Sequence, residues 1–216
     1  MELMREIDIY CERMGPAFWA EPINAVSNGA FLVAALVMWR RAPQPVCRAL
    51  SGVLAAIGVG SFLFHTHATV WAMIADVAPI GLFILCYIWA AHRYFWGLSW
   101  GWAGVSALGF LPFAAVLAPL FSAVPFFEVS AGYWPVALLI ALEAWALRRR
   151  LPRVAMGMAV GAGVLVVSLM ARSVDMAVCA AVPVGTHFLW HLLNGLMLGW
   201  MIEVLRRHLA ERPSAG

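Results

Sequence analysis

The sequence has no lysine: all fourteen cations are arginine. Charge of either sign is scarce. Asp, Glu, Lys and Arg together make up 12% of the 216 residues, against about 25% in a soluble domain. With 64% hydrophobic residues, this excludes an ordinary soluble protein and implies one integral membrane domain with no room for a separate soluble module. A basic segment leading into a short apolar run is also missing at the start. The first residues carry Glu2, Arg5, Glu6, Asp8, Glu12, Arg13 and Glu21, so no signal peptide is expected. There is no internal repeat and no low-complexity tract. The net charge of +3 says little about nucleic acid, and no such partner is expected; the arginine positions report topology instead. A short, arginine-only, alanine-rich chain reads as bacterial.

What is present is a series of apolar segments, each approaching the ~20 residues a helix needs to cross a bilayer. After a polar lead-in at 1–21 they run over about 22–39, 48–64, 71–91, 98–120, 132–147, 154–171 and 184–205. Pro112 and Pro119 are expected to kink or end the fourth. A loop with Glu128 precedes the fifth, and a loop holding Arg172, Asp175 and Cys179 precedes the seventh. The expected fold is all-α, a seven-helix transmembrane bundle over 22–205 with a cytoplasmic tail at 206–216. Lone strands could not cross, because lipid offers their backbone no partners. Alternate connections hold Arg40, Arg41, Arg48, Arg93, Arg148, Arg149, Arg150, Arg153, Arg206, Arg207 and Arg212 on one side and Arg5, Arg13 and Arg172 on the other. Eleven against three places the N-terminus outside and the C-terminus in the cytoplasm. Trp19, Trp71, Trp96, Trp100 and Trp134 fall near segment ends, as interfacial tryptophans do.

This topology gathers the ionisable groups. Ser61 and His65 lie one helical turn apart at the outer end of the second segment. Asp76 lies just inside the third, and His187 and His191 occupy the first two turns of the seventh. Ionisable groups at membrane depth are costly and are functional-site hypotheses by default. Three imidazoles at one depth suit zinc, which takes nitrogen ligands in tetrahedral geometry and keeps one position open in catalytic sites. His65, His187 and His191 are the expected zinc ligands. Asp76 would take the proton of the attacking water, and Ser61 would donate to a developing oxyanion. The bland alternative is interhelical hydrogen bonding by the histidines. Haem ligated between the second and seventh segments, as in a membrane electron carrier, is another reading, although it needs neither Ser61 nor Asp76. His67, His92 and His208 read as loop or interface residues, and Cys47 and Cys86 as packing.

Three blocks together resemble the alkaline ceramidase family, part of a wider group of seven-helix membrane hydrolases that includes the progestin and adiponectin receptors. They are Cys11-Glu12 with Glu21-Pro-Ile-Asn24-Ala-Val-Ser27-Asn28; Gly60-Ser61-Phe-Leu-Phe64-His65 with Asp76; and His187-x-x-x-His191. The resemblance covers nearly the whole chain. It implies a zinc-dependent hydrolase that cleaves the amide of ceramide or a related N-acyl lipid to a fatty acid and an amine. Under this reading His65, His187 and His191 hold zinc, and Asp76 and Ser61 are catalytic. It also implies a calcium site from Asp8, the carbonyl of Tyr10, Glu12 and Glu21, although Met14 stands where the family carries Asn. A disulfide between Cys11 and Cys179 is implied as well. The partners would be the bilayer and the lipid substrate, and the place a bacterial inner membrane with the active site toward the periplasm. A lipid receptor of the same superfamily, holding zinc with little turnover, is the alternative; zinc content and turnover on amide lipids separate these readings.

Overall fold

Proline opens four of the helices, at Pro22, Pro45, Pro135 and Pro152. There its fixed φ suits the first turn, and its missing N–H costs nothing. In the computed structural model, which describes residues 2–211, every element is helical and no strand occurs among the described residues. Arg212 and the end of the expected tail lie outside them. The helices are α1 (Pro22–Ser27), α2 (Gly29–Arg41), α3 (Pro45–His67), α4 (Val70–Tyr94), α5 (Trp100–Ser122), α6 (Trp134–Leu147), α7 (Pro152–Val178) and α8 (His187–Ala210). One-turn 3-10 helices lie at Glu2–Met4 and Glu128–Ser130.

Six stretches are long and apolar enough to cross a membrane: Pro22–Arg41, which joins α1 and α2, and α3, α4, α5, α7 and α8. The α6 helix has 14 residues, about 21 Å at 1.5 Å per residue, shorter than a hydrocarbon core of about 30 Å. The α5 helix exposes Val105, Leu108, Leu111, Val116 and Leu120. Apolar surface of that extent needs an apolar surrounding, which a bilayer supplies. Pro112 and Pro119 do not end α5, which runs through both to Ser122. The larger departure is α7. It continues past Ala171 to Val178, so Arg172 and Asp175 stand on a helix and not in a loop.

Between α3 and α4 the chain reverses within Ala68–Thr69, with Ala68 in the left-handed region at φ 44°. The N-terminal segment fastens onto this turn: the Ile7 N–H donates to the Ala68 carbonyl at 2.7 Å, and the Val70 N–H donates to the Arg5 carbonyl at 3.1 Å. The α3–α4 crossing is the tightest helix contact near the polar cluster. A Cβ built on Gly60 would lie 2.0 Å from the Ala75 carbonyl oxygen and 3.2 Å from the Asp76 nitrogen. Small residues permit such close approach where helices pack without a hydrophobic drive. Gly60 therefore keeps Ser61 and Asp76 side by side. Gly60→Ala must push the two backbones apart; we expect a loss of at least about 1–3 kcal/mol, read as a lower melting temperature in detergent. Unchanged melting would show that the crossing tolerates a methyl group.

Candidate metal centre

His65 stands in the last turn of α3, His187 opens α8, and His191 follows one turn later. Each is no more than 1% exposed. One potential ligand atom from each lies within 4.8 Å of the others, the only such group of His, Cys, Asp and Glu among the described residues. The cluster could hold a metal ion.

The partners of the rings establish which nitrogens point inward. His65 Nδ1 lies 2.6 Å from Glu21 Oε2. An ionised carboxylate only accepts, so Nδ1 carries the proton and Nε2 the lone pair. Ser27 donates its single hydroxyl proton to the Asn24 carbonyl at 2.9 Å. At the His191 Nδ1, 2.7 Å away, Ser27 is therefore the acceptor, and the His191 Nε2 keeps its lone pair too. Nε2 of His65, Nε2 of His191 and Nδ1 of His187 are buried without a hydrogen-bond partner. Unsatisfied buried nitrogens cost free energy in a finished protein. Imidazoles whose outer nitrogens are held by a carboxylate and a hydroxyl are what a metal centre needs, so the donor set fits a metal ion that takes nitrogen ligands.

The expected catalytic pair is also present. Ser61, 3% exposed, precedes His65 by one turn. The polar groups that face the partly exposed Asp76 carboxyl are His65, the Ser61 hydroxyl and, on α7, Arg172. A small cavity of about 50 Å³ lies among Phe31, Ile57, Ile80, Ile84, Trp190 and Met197, with Tyr133 and Asn194 also on its wall. The Phe31 ring reaches to 6.2 Å from that of His191. No protein-family model matches the chain, and no curated protein does.

The three carboxylates expected to hold calcium are not brought together. Asp8 is exposed. Glu12 caps α1, accepting from the backbone N–H groups of Ile23 and Asn24, each at 2.7 Å. The cation facing Glu21 is the protein's own: Arg13 Nε lies 2.5 Å from Glu21 Oε1, and Arg13 also donates to the carbonyls of Gly15 and His65 at 2.9 and 3.1 Å. Burial alone would raise the Glu21 carboxyl, but the hydrogen bonds from His65 and Asn24 and the charge of Arg13 hold it below the usual range. The Tyr10 carbonyl accepts from the Arg13 N–H, while its ring stacks on His187 with centroids 3.7 Å apart. Burial pushes the Tyr10 phenol up, against the opposing charge of Arg172.

Asp175 anchors the site although nothing in its sequence context marks it. Its carboxylate accepts from the backbone N–H groups of Cys11 (2.9 Å), Thr186 (2.7 Å) and His187 (2.9 Å). It thereby caps α8 and anchors the N-terminal segment at one point. Gly185, at φ +66°, leaves no room for a side chain here: a Cβ would come within 2.1 Å of Asp175 Oδ1. The Cys11–Cys179 disulfide is formed and ties the same segment to the end of α7. It closes a loop of 168 residues, so Cys179→Ser should cost roughly 2–5 kcal/mol. The check is thermal melting of the variant beside wild type with and without reductant; a variant that melts with oxidised wild type would show the bond to be dispensable.

Proposed function

We propose that this protein is a zinc-dependent amidohydrolase of the ceramidase type that cleaves an N-acyl lipid inside the membrane. The observation that carries the proposal is the buried cluster of His65, His187 and His191, whose ligand atoms lie within 4.8 Å of one another, with Asp76 and Ser61 beside His65. A zinc ion held by His65, His187 and His191 would polarise the amide carbonyl and acidify water. The chain's own residues would do the rest. Asp76 takes the proton of the attacking water and returns it to the leaving nitrogen, so that amide cleavage yields a fatty acid and an amine. Ser61 donates a hydrogen bond to the carbonyl oxygen as charge gathers there.

In this proposal the short α6 completes a seventh crossing. The arginine bias sets the N-terminus outside, so that the site opens toward the periplasm of a bacterial inner membrane. The haem alternative is disfavoured by geometry. The three histidine rings pack with centroids 4.7–5.1 Å apart, which leaves no room for a porphyrin between them. Metal analysis of the purified protein, followed by lipid mass spectrometry after incubation with ceramides and other N-acyl lipids, tests the function. Zinc with release of fatty acid supports it; zinc with no turnover on any amide lipid would move the protein to the receptor class.

A further inference from the structure

The arginine-rich end of the bundle, opposite the metal centre, holds a second arrangement with a chemistry of its own. Glu203 on α8 is the acceptor for three guanidinium groups. Arg206 reaches it through Nε and an NH2 at 2.7 and 2.9 Å, Arg207 through Nε at 2.8 Å, and Arg41, at the end of α2, through one NH2 at 3.2 Å. One carboxylate thus meets three cations: Oε1 accepts from all three arginines and Oε2 from Arg206. Arg206 is spent on this bond, with its side chain only 22% exposed. Arg41 and Arg207 each give it a single N–H, and their side chains stand 55% and 58% exposed. Among the described residues neither makes a second hydrogen bond to an acid, and the one carboxylate facing three guanidinium groups leaves two net positive charges.

These two arginines close the end of a groove between α2 and α8, walled by Val33, Val37, Leu192 and Leu196. The helices run parallel and touch along a stripe of small residues: a Cβ on Gly195 would lie 3.0 Å from the Ala30 backbone, and one on Gly199 3.2 Å from the Ala34 Cβ. That contact makes the groove floor shallow and smooth. Trp200 fixes the headgroup end, donating from Nε1 to the Gly157 carbonyl at 2.7 Å while the Arg207 guanidinium sits 5.6 Å from its ring centre. We propose that this groove is a binding site for one anionic glycerophospholipid. The phosphate is held by Arg41 and Arg207, and one acyl chain lies between α2 and α8. Guanidinium forks match phosphate oxygens, and basic pockets between membrane helices favour anionic headgroups. Glu203 holds the two arginines in register and is itself too fully paired to repel the phosphate. The site does not depend on the metal centre or on its proposed activity.

The test uses the full chain in mixed micelles of detergent and phosphatidylcholine, titrated with phosphatidylglycerol, with retained lipids counted by native mass spectrometry. The expected result is one retained phosphatidylglycerol per chain. Its apparent affinity should fall at least tenfold in Arg41→Gln/Arg207→Gln and stay unchanged in Arg148→Gln/Arg149→Gln, whose exposed arginines lie at the same end. Equal retention of phosphatidylcholine would overturn the proposal, as would equal loss in the control pair, which would mean a diffuse charge effect. Glycerol phosphate that binds as tightly as the whole lipid would reduce the site to an anion pocket and overturn the groove. Should the double variant fail to fold, Val37→Trp narrows the groove without touching either arginine. It should lower retention at least tenfold too, and unchanged retention there would equally overturn the assignment.

Discussion

Asp76→Asn will leave a folded protein that keeps its metal and loses hydrolysis. The amide has nearly the volume of the carboxyl and can still accept a hydrogen bond from Ser61, so the α3–α4 crossing at Gly60 is undisturbed. Asp76 is not one of the three groups whose ligand atoms converge, so metal content should hold. What the amide cannot do is take a proton from water, and positioned proton transfer is worth roughly 10²–10⁴ in rate. We therefore expect turnover per bound metal to fall by roughly 10²-fold or more. Metal content and fatty-acid release are to be measured on one preparation. If Asp76 instead only balances the charge of the ion, Asn will weaken metal retention while turnover per remaining ion is unchanged. That pattern would remove the general-base role and favour the receptor reading.

His191→Ala is expected to abolish metal binding, and activity with it. Two imidazoles would remain of three, and the loss would also leave Ser27 facing a void where it now holds the ring. The ring is fully buried against Phe31, so some stability is lost as well, and melting must be followed beside metal content. Ser27→Ala separates the two effects. It keeps every ligand and removes only the outer hydrogen bond, for which a 10–100-fold loss of metal affinity is expected. Chelator competition on the two variants gives the ranking. A His191→Ala protein that is folded and still carries the wild-type metal content would refute the three-histidine centre.

The helices and the three histidines were legible in the sequence for one physical reason. Apolar runs broken by arginine dictate alternating crossings, and these put the end of α3 and the start of α8 at the same depth before any contact is known. Asp76 and Ser61 followed by the same logic, and the Cys11–Cys179 bond followed from the resemblance. The anchoring of the site was not legible, because capping depends on where backbone N–H groups point. Glu12 and Glu21 read as cation ligands, yet Glu12 caps the start of α1 and Glu21 receives Arg13 and His65. Asp175 reads as a loop acid because Arg172 and Asp175 interrupt the apolar run. In the fold the helix carries both past that point, Arg172 lying between Tyr133 and Trp190. The stacking of Tyr10 on His187 had no sequence signal at all.

Asp175 also sets an order of events in the making of the protein. It joins Cys11, among the first residues to be synthesised, to His187 near the last helix, and the disulfide spans almost the same interval. Chains are made from the N-terminus onward. His65 is therefore in place long before His187 and His191 exist, among neighbours that precede it or follow closely, such as Glu21, Arg13 and Phe64. A ribosome that stalls before α8 leaves a bundle with only one histidine of the cluster. The three-histidine cluster is assembled only once α8 has been made.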